Sequence, residues 1–123
     1  MTMLNNTVLV VDDEFIILDL WCFHLEEMGL TVCDTAMTAI DAIRLAQAHR
    51  PKLVLMDMRL AGTMDGVDAA LAIYQTVGSS VIFITGSSEP ETIARINLDH
   101  PRAILYKPVS EKLFRQTVAE VMT

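Results

Sequence analysis

The sequence predicts an α/β fold: a doubly wound, five-stranded parallel sheet with helices on both faces. Two observations predict it. Short apolar runs alternate strictly with longer segments of helical pattern from one end of the chain to the other. Four of those runs also end in chemically loaded residues: Asp12-Asp13 after the first, Asp57 after the third, Thr85 after the fourth and Lys107-Pro108 after the fifth. In an open parallel sheet the carboxyl ends of the strands share one edge, and ligands bind in the crevice beyond it. These residues, distant in sequence, are therefore expected to converge.

Each element has its own signal. Thr7 to Val11 is short and rich in β-branched residues, and the segment Glu14 to Met28 that follows is helical in length and stops at Gly29. Leu30 to Asp34 reads as the second strand. Thr38 to His49 is an Ala-rich helix with Ala39, Ile40, Ile43 and Ala46 at helical spacing, closed by Pro51. Leu53 to Met56 is the third strand, Asp65 to Val77 the third helix, and Val81 to Thr85 a fourth strand whose unbroken apolar run suits burial on both faces. Glu89 to Leu98 is a helix with Pro90 in its first turn, where a missing N–H costs nothing. Ala103 to Tyr106 is the fifth strand, and Ser110 caps a last helix through Val121, with Leu113, Val118 and Val121 facing the core.

Composition narrows the class. A chain of 123 residues is one domain, residues 1–123, with no internal repeat or linker. It is 52% hydrophobic but only 6% aromatic, an aliphatic-core composition unlike that of disordered chains. Sixteen acidic against nine basic residues give a net charge of −7, which disfavours direct binding to nucleic acid. No apolar run approaches the roughly 20 residues that cross a bilayer, and Met1 to Asn6 lacks a basic leader region, so a cytoplasmic protein without membrane contact is expected. Cys22 and Cys33 have neither CxxC spacing nor a neighbouring ligand cluster and read as buried, reduced thiols.

The strand ends suggest a chemistry. Asp12, Asp13 and Asp57, with Glu14 beside them, would repel one another unless a cation lay between them. Oxygen donors of this kind suit Mg2+, with Mn2+ as a substitute. Asp13 capping the first helix, with Asp12 solvated, is the alternative for that pair taken alone. A carboxylate such as Asp57 can act as a nucleophile toward phosphorus if the local charge is offset. Lys107 supplies a mobile positive charge, and the Thr85 hydroxyl a hydrogen bond for a phosphoryl oxygen. Taken singly, Thr85 is an ordinary strand-end threonine and Lys107 a surface lysine; their joint placement carries the reading. Gly86 leaves backbone room beside Thr85, and Pro108 offers a cis peptide after Lys107.

These residues resemble the response-regulator receiver domain of two-component signalling, over nearly the whole chain. The carriers are VLVVDDE at Val8 to Glu14, LVLMD at Leu53 to Asp57, MDG at Met64 to Gly66, VIFITG at Val81 to Gly86 and LYKPVS at Leu105 to Ser110. The resemblance implies a flavodoxin-like strand order 2-1-3-4-5. It implies that Asp57 is the phosphoacceptor, taking phosphate from the phosphohistidine of a sensor histidine kinase or phosphotransfer protein. The metal would be held by Asp12, Asp13, Asp57 and the Arg59 backbone carbonyl. Thr85 and Tyr106 would form the switch, the threonine moving inward and the ring rotating after it. The chain would be a signalling domain that assists its own phosphorylation and dephosphorylation, not an enzyme acting on a separate substrate.

One segment departs from the family's usual pattern. DMRLAGTMDG at Asp57 to Gly66 has Ala61 in place of a proline and one additional residue, a form that resembles receivers associated with sensor kinases or standing alone. Arg59 and Ser87 stand where the family tunes phosphate lifetime. The first helix has a broad apolar arc: Ile17, Leu20, Trp21, Leu25 and Met28 are assigned to the core, and Phe15, Leu18 and Cys22 to a partner-docking or dimer patch. His24 reads as a packing histidine. Arg95, Tyr106, Lys112 and Arg115 are assigned to an output face of the fourth helix, fifth strand and fifth helix, and no output segment is expected after that helix.

Other chemistries fit less well. Haloacid-dehalogenase-type phosphatases need a carboxylate two residues after the nucleophile. That position is Glu14 after Asp12 or Arg59 after Asp57, and the order of Thr85 and Lys107 with a lone Asp57 on the third strand fits the receiver instead. A nucleotide binder needs a phosphate cradle after its first strand, where Asp12, Asp13 and Glu14 would repel phosphate. A receiver-like module without phosphorylation has no reason to carry the full set of acids, Thr85 and Lys107.

Overall fold

The computed structural model describes residues 5–60, 62–86 and 90–123. The elements run β1 (Thr7–Val11), α1 (Phe15–Glu27), β2 (Thr31–Ala36), α2 (Ala39–His49), β3 (Leu53–Asp57), α3 (Gly66–Thr76), β4 (Ser80–Thr85), α4 (Pro90–Asn97), β5 (Ala103–Tyr106) and α5 (Glu111–Met122). All pairings are parallel, in the order β2-β1-β3-β4-β5. This is the predicted doubly wound, flavodoxin-like arrangement.

Strand periodicity divides the core in two. Leu9, Val54, Met56 and Phe83 face α2, α3 and α4, while Val8, Leu55, Ile82 and Ile84 face α1 and α5. Every residue of β3 is buried, which explains why this strand reads as an uninterrupted apolar run ending in its acid. β2 lies at the sheet edge and extends beyond the expected Asp34 to Ala36. Its register against β1 shifts between Val8 and Leu9, passing over Cys33, and the polar residues that follow continue the pairing through backbone bonds. The extension ends at the site, where Ala36 O accepts from Asp12 N at 3.0 Å.

Several helix faces differ from the expectation. In α1, Leu18 is buried and Leu20 is 43% exposed, the reverse of their assignments. The inward face is fixed by Trp21, which stacks on Phe114 of α5 with ring centroids 4.4 Å apart. The outward apolar residues are Phe15, as expected, together with Ile16, Leu20 and Phe23, whereas Cys22 is half-buried against the core. In α2 the buried face is Ala39, Ala42 and Ala46, small side chains that admit close packing, and Ile40 points outward. In α5, Val118 is buried and Val121 packs partly against the core as expected, whereas Leu113 is exposed and Phe114 takes the inward position.

Arg115 also departs from its assigned face. It turns toward α1, with Nη2 2.7 Å from Glu27 Oε1 and 3.1 Å from His24 Nδ1. Because a guanidinium can only donate, His24 Nδ1 accepts, and the buried histidine is a packing residue as expected. Cys22 and Cys33 are free but half-buried rather than fully enclosed. Among the described residues no helix is long and apolar enough to cross a membrane.

Candidate functional site

The fold brings the strand-end residues together along one edge of the sheet. Asp12, immediately after β1, and Asp57, the last residue of β3, are almost fully buried, and Asp13 is partly so. Asp12, Asp13 and Asp57 each offer an oxygen within 4.8 Å of the others. Lys107, immediately after β5, places Nζ 3.0 Å from Asp57 Oδ1 and 3.6 Å from Asp12 Oδ2. Its backbone N–H donates to Thr85 O at 2.8 Å, joining the ends of β4 and β5, and the Lys107–Pro108 peptide is cis.

Electrostatics strain this cluster. Burial, followed by the neighbouring Asp12 charge, pushes the Asp57 carboxyl up to about 6. Burial likewise raises Asp12, against the hydrogen bond it accepts from Glu14 N at 2.9 Å. Burial works against the Lys107 ammonium, but its hydrogen bond to Asp57 and the charges of Asp57 and Asp12 outweigh that and raise it. One lysine facing three carboxylates leaves net negative charge in a confined space. All three acids present hard oxygen donors, so the cluster fits a hydrated divalent ion of the magnesium kind. The capping alternative for Asp13 is not what the structure shows: Glu14 is the N-cap of α1, without a side-chain cap bond.

A cavity of about 850 Å³ opens beside the cluster and is lined by Asp13, Asp57, Arg59, Thr85, Gly86 and Lys107 among others. Thr85 is buried, and Gly86 has open space where a Cβ would stand. Gly66 is placed more tightly. A Cβ there would overlap the Asp57 carbonyl oxygen, so this glycine lets α3 begin directly against the turn after Asp57. Gly66 N donates to Met58 O at 3.1 Å and closes the loop, in which Gly62 adopts φ +100°. Ala61 and Ser87 lie outside the described residues. Tyr106 pairs with Thr85 across β4 and β5 and is 47% exposed.

Sequence reasoning passed over one contact in this wall. Arg95 of α4, assigned to the output face, donates from Nη1 to Asp65 Oδ2 at 2.8 Å and lies 3.6 Å from Asp68 Oδ1. Asp65 belongs to the MDG motif, and a helix-borne cation for that acid was the available signal.

The sheet order, with acids, threonine and lysine along its carboxyl edge, defines a signalling receiver of the two-component type. Residues 8–119 match the family model "Response regulator receiver domain", and the chain belongs to that family. It is 31% identical over 103 residues to the transcriptional regulatory protein PdtaR of Mycobacterium tuberculosis, covering 84% of this chain and 50% of the relative. It is 32% identical over 123 residues to the phyllosphere-induced regulator PhyR of Methylorubrum extorquens, covering 91% and 45%. The chain thus spans about half the length of the curated relatives it matches. Among solved structures, the signal receiver domain of a modulated diguanylate cyclase from Desulfovibrio desulfuricans superposes with a TM-score of 0.87 at 29% identity, covering 94% of this chain and 92% of that one. Receiver domains are signalling domains that interact with histidine kinases or phosphotransfer proteins and bind Mg2+ at an acidic pocket.

Proposed function

We propose that residues 1–123 act as one receiver domain in which Asp57 takes a phosphoryl group from the phosphohistidine of a sensor histidine kinase or phosphotransfer protein. The observation that carries this reading is Lys107 Nζ held 3.0 Å from Asp57 Oδ1 within a cluster of three carboxylates. Asp57 attacks phosphorus through a carboxylate oxygen; the phosphorus–nitrogen bond of the donor breaks and its imidazole leaves. Lys107, already beside both Asp57 and Asp12, neutralises charge on the phosphoryl oxygens, and the Thr85 hydroxyl donates a hydrogen bond to one of them. Asp12, Asp13, Asp57 and the Arg59 carbonyl would hold Mg2+, or Mn2+ in its place. Bound there, the ion would supply positive charge to the phosphoryl group and to the crowded acids.

Thr85 moving toward the phosphoryl group and Tyr106 turning inward would together switch a protein-interaction surface. Their adjacency across β4 and β5 supports the coupling. On the input side, the exposed Phe15, Ile16, Leu20 and Phe23 of α1 offer an apolar surface to the helices of a phosphodonor protein or to a second copy in a dimer. The domain assists its own phosphorylation and dephosphorylation and turns over no separate substrate. This reading places the domain in the cytoplasm, beside its phosphodonor. Incubation with Mg2+ and acetyl phosphate tests the reading: one base-labile phosphate should be incorporated, and a chelator should prevent it. Turnover of unrelated phosphoesters would overturn it.

A further inference from the structure

The helix next to the cavity is lightly seated. Of the eight residues of α4 only Ile96 is buried, with Ile93 partly packed on the core, so polar contacts add to its seating. The main one is Arg95, whose two terminal nitrogens reach Asp65 Oδ2 at 2.8 Å and Oδ1 at 3.4 Å, with Asp68 Oδ1 at 3.6 Å. Asp65 is the N-cap of α3: its Oδ1 accepts from Val67 N at 3.0 Å and Asp68 N at 3.1 Å. The next residue, Gly66, is pressed against the Asp57 carbonyl. Among the described residues, the Arg95 guanidinium thus ties α4 to the turn that follows Asp57.

A second carboxylate lies four residues after Arg95, in the turn that follows α4. Asp99 is 4% exposed, and both its carboxylate oxygens are shielded from solvent without a hydrogen-bond partner. Burial pushes its carboxyl up to about 6, while the charges of His100 and Arg95 pull it down and that of Asp68 pushes it further up. His100 itself is stacked on Tyr74 of α3, with centroids 4.2 Å apart. A buried acid without a partner is costly, and the Arg95 guanidinium, whose charge already acts on it, is a cation near enough to relieve it.

We propose that Arg95 is a two-position coupling residue, docked on Asp65 and Asp68 in this structure and on Asp99 when α4 is displaced. The inference rests on the proposed phosphorylation only for the force that displaces the helix. Thr92 and Arg95 of α4 line the same cavity as Thr85, so a phosphoryl group held there bears on α4 as well as on the end of β4. In the first position the acceptor turn is clamped. In the second, Asp65 and Asp68 lose their cation and Asp99 gains it. The exchange replaces one ion pair by another, which suits a two-state element with a small energy gap.

The test follows the Asp99 carboxyl by carbon NMR in the full chain. Asp65→Asn keeps a side chain able to cap α3 but removes the docking charge; it should release Arg95 and lower the Asp99 midpoint by about one pH unit, a tenfold change in its acid equilibrium. Adding Arg95→Gln should abolish the downward shift and bring the midpoint to its original value or above it, because the Arg95 charge already lowers Asp99 in the docked position. Asp68→Asn is the second variant should Asp65→Asn fail to fold, and an unchanged midpoint in the folded variants overturns the proposal. Treating the wild-type protein with Mg2+ and acetyl phosphate gives a separate arm. Phosphate gain with the same downward shift supports the coupling, and phosphate gain without the shift overturns it. Absence of phosphate gain overturns the phosphoacceptor reading instead, with the coupling decided by the Asp65→Asn result.

Discussion

Lys107 Nζ lies 3.0 Å from Asp57 Oδ1, so the end of β5 supplies the cation for the acid that ends β3. The pair is the geometric centre of the site. Lys107→Ala leaves Asp57 facing Asp12 and Asp13 without a counter-charge. Phosphorylation by acetyl phosphate should slow by about 10²-fold, the usual cost of removing one preorganised charge-stabilising donor. Asp57 should also be pushed higher than about 6, shifting the rate profile toward alkaline pH. Initial rates measured against pH in both proteins check this.

Asp57→Asn should stabilise the protein in the absence of divalent metal. The folded carboxyl is raised above its ordinary value of 3.8 to about 6, first by burial and then by Asp12. The stability it contributes is therefore present at acid pH and lost as pH rises through about 6. The variant should be more stable by about 2 kcal/mol at pH 8 and close to wild type near pH 4. Saturating Mg2+ should narrow the gap by stabilising wild type more than the variant, read from denaturant midpoints with and without chelator.

Asp99 has the same sign and no place in the phosphoryl site. Its carboxyl is raised from 3.8 to about 6, so folding binds an extra proton between those values and wild-type stability falls as pH rises across that window. Asp99→Asn should remove this component of the pH dependence and gain on the order of 2 kcal/mol at pH 7.5. Thermal unfolding from pH 4 to pH 8 measures it. A variant that loses stability with pH as steeply as wild type would contradict the assignment.

The two neighbouring leucines of α1 should behave oppositely. Leu18 is 4% exposed and Leu20 43%. Leu18→Ala should cost about 2–5 kcal/mol, whereas Leu20→Ala should cost well under 1 kcal/mol and weaken only docking to a phosphodonor. Urea titrations and phosphotransfer assays on the two variants distinguish the roles.

The sheet and the site were legible in the sequence because their signals are local. β3 and β4 are buried on both faces and read as continuous apolar runs, and the candidate site residues stand at the ends of such runs. Helix faces were less legible. Leu18 and Leu20 are chemically equal, and only the packing of Trp21 on Phe114 decides which turns inward. Ile40 gives way to alanines because close helix packing favours small residues over large ones. β2 continues past Asp34 because an edge strand is held by backbone pairing that side-chain pattern does not report. Arg95 and Arg115 found acidic partners on neighbouring helices, which their own spacing could not specify.

The most direct measurement is the intact mass of wild-type and Asp57→Asn protein after incubation with Mg2+ and acetyl phosphate. Wild type is predicted to gain the mass of one phosphoryl group and Asp57→Asn none. No gain in wild type, or an equal gain in Asp57→Asn, would contradict the assignment of Asp57 as the phosphoacceptor.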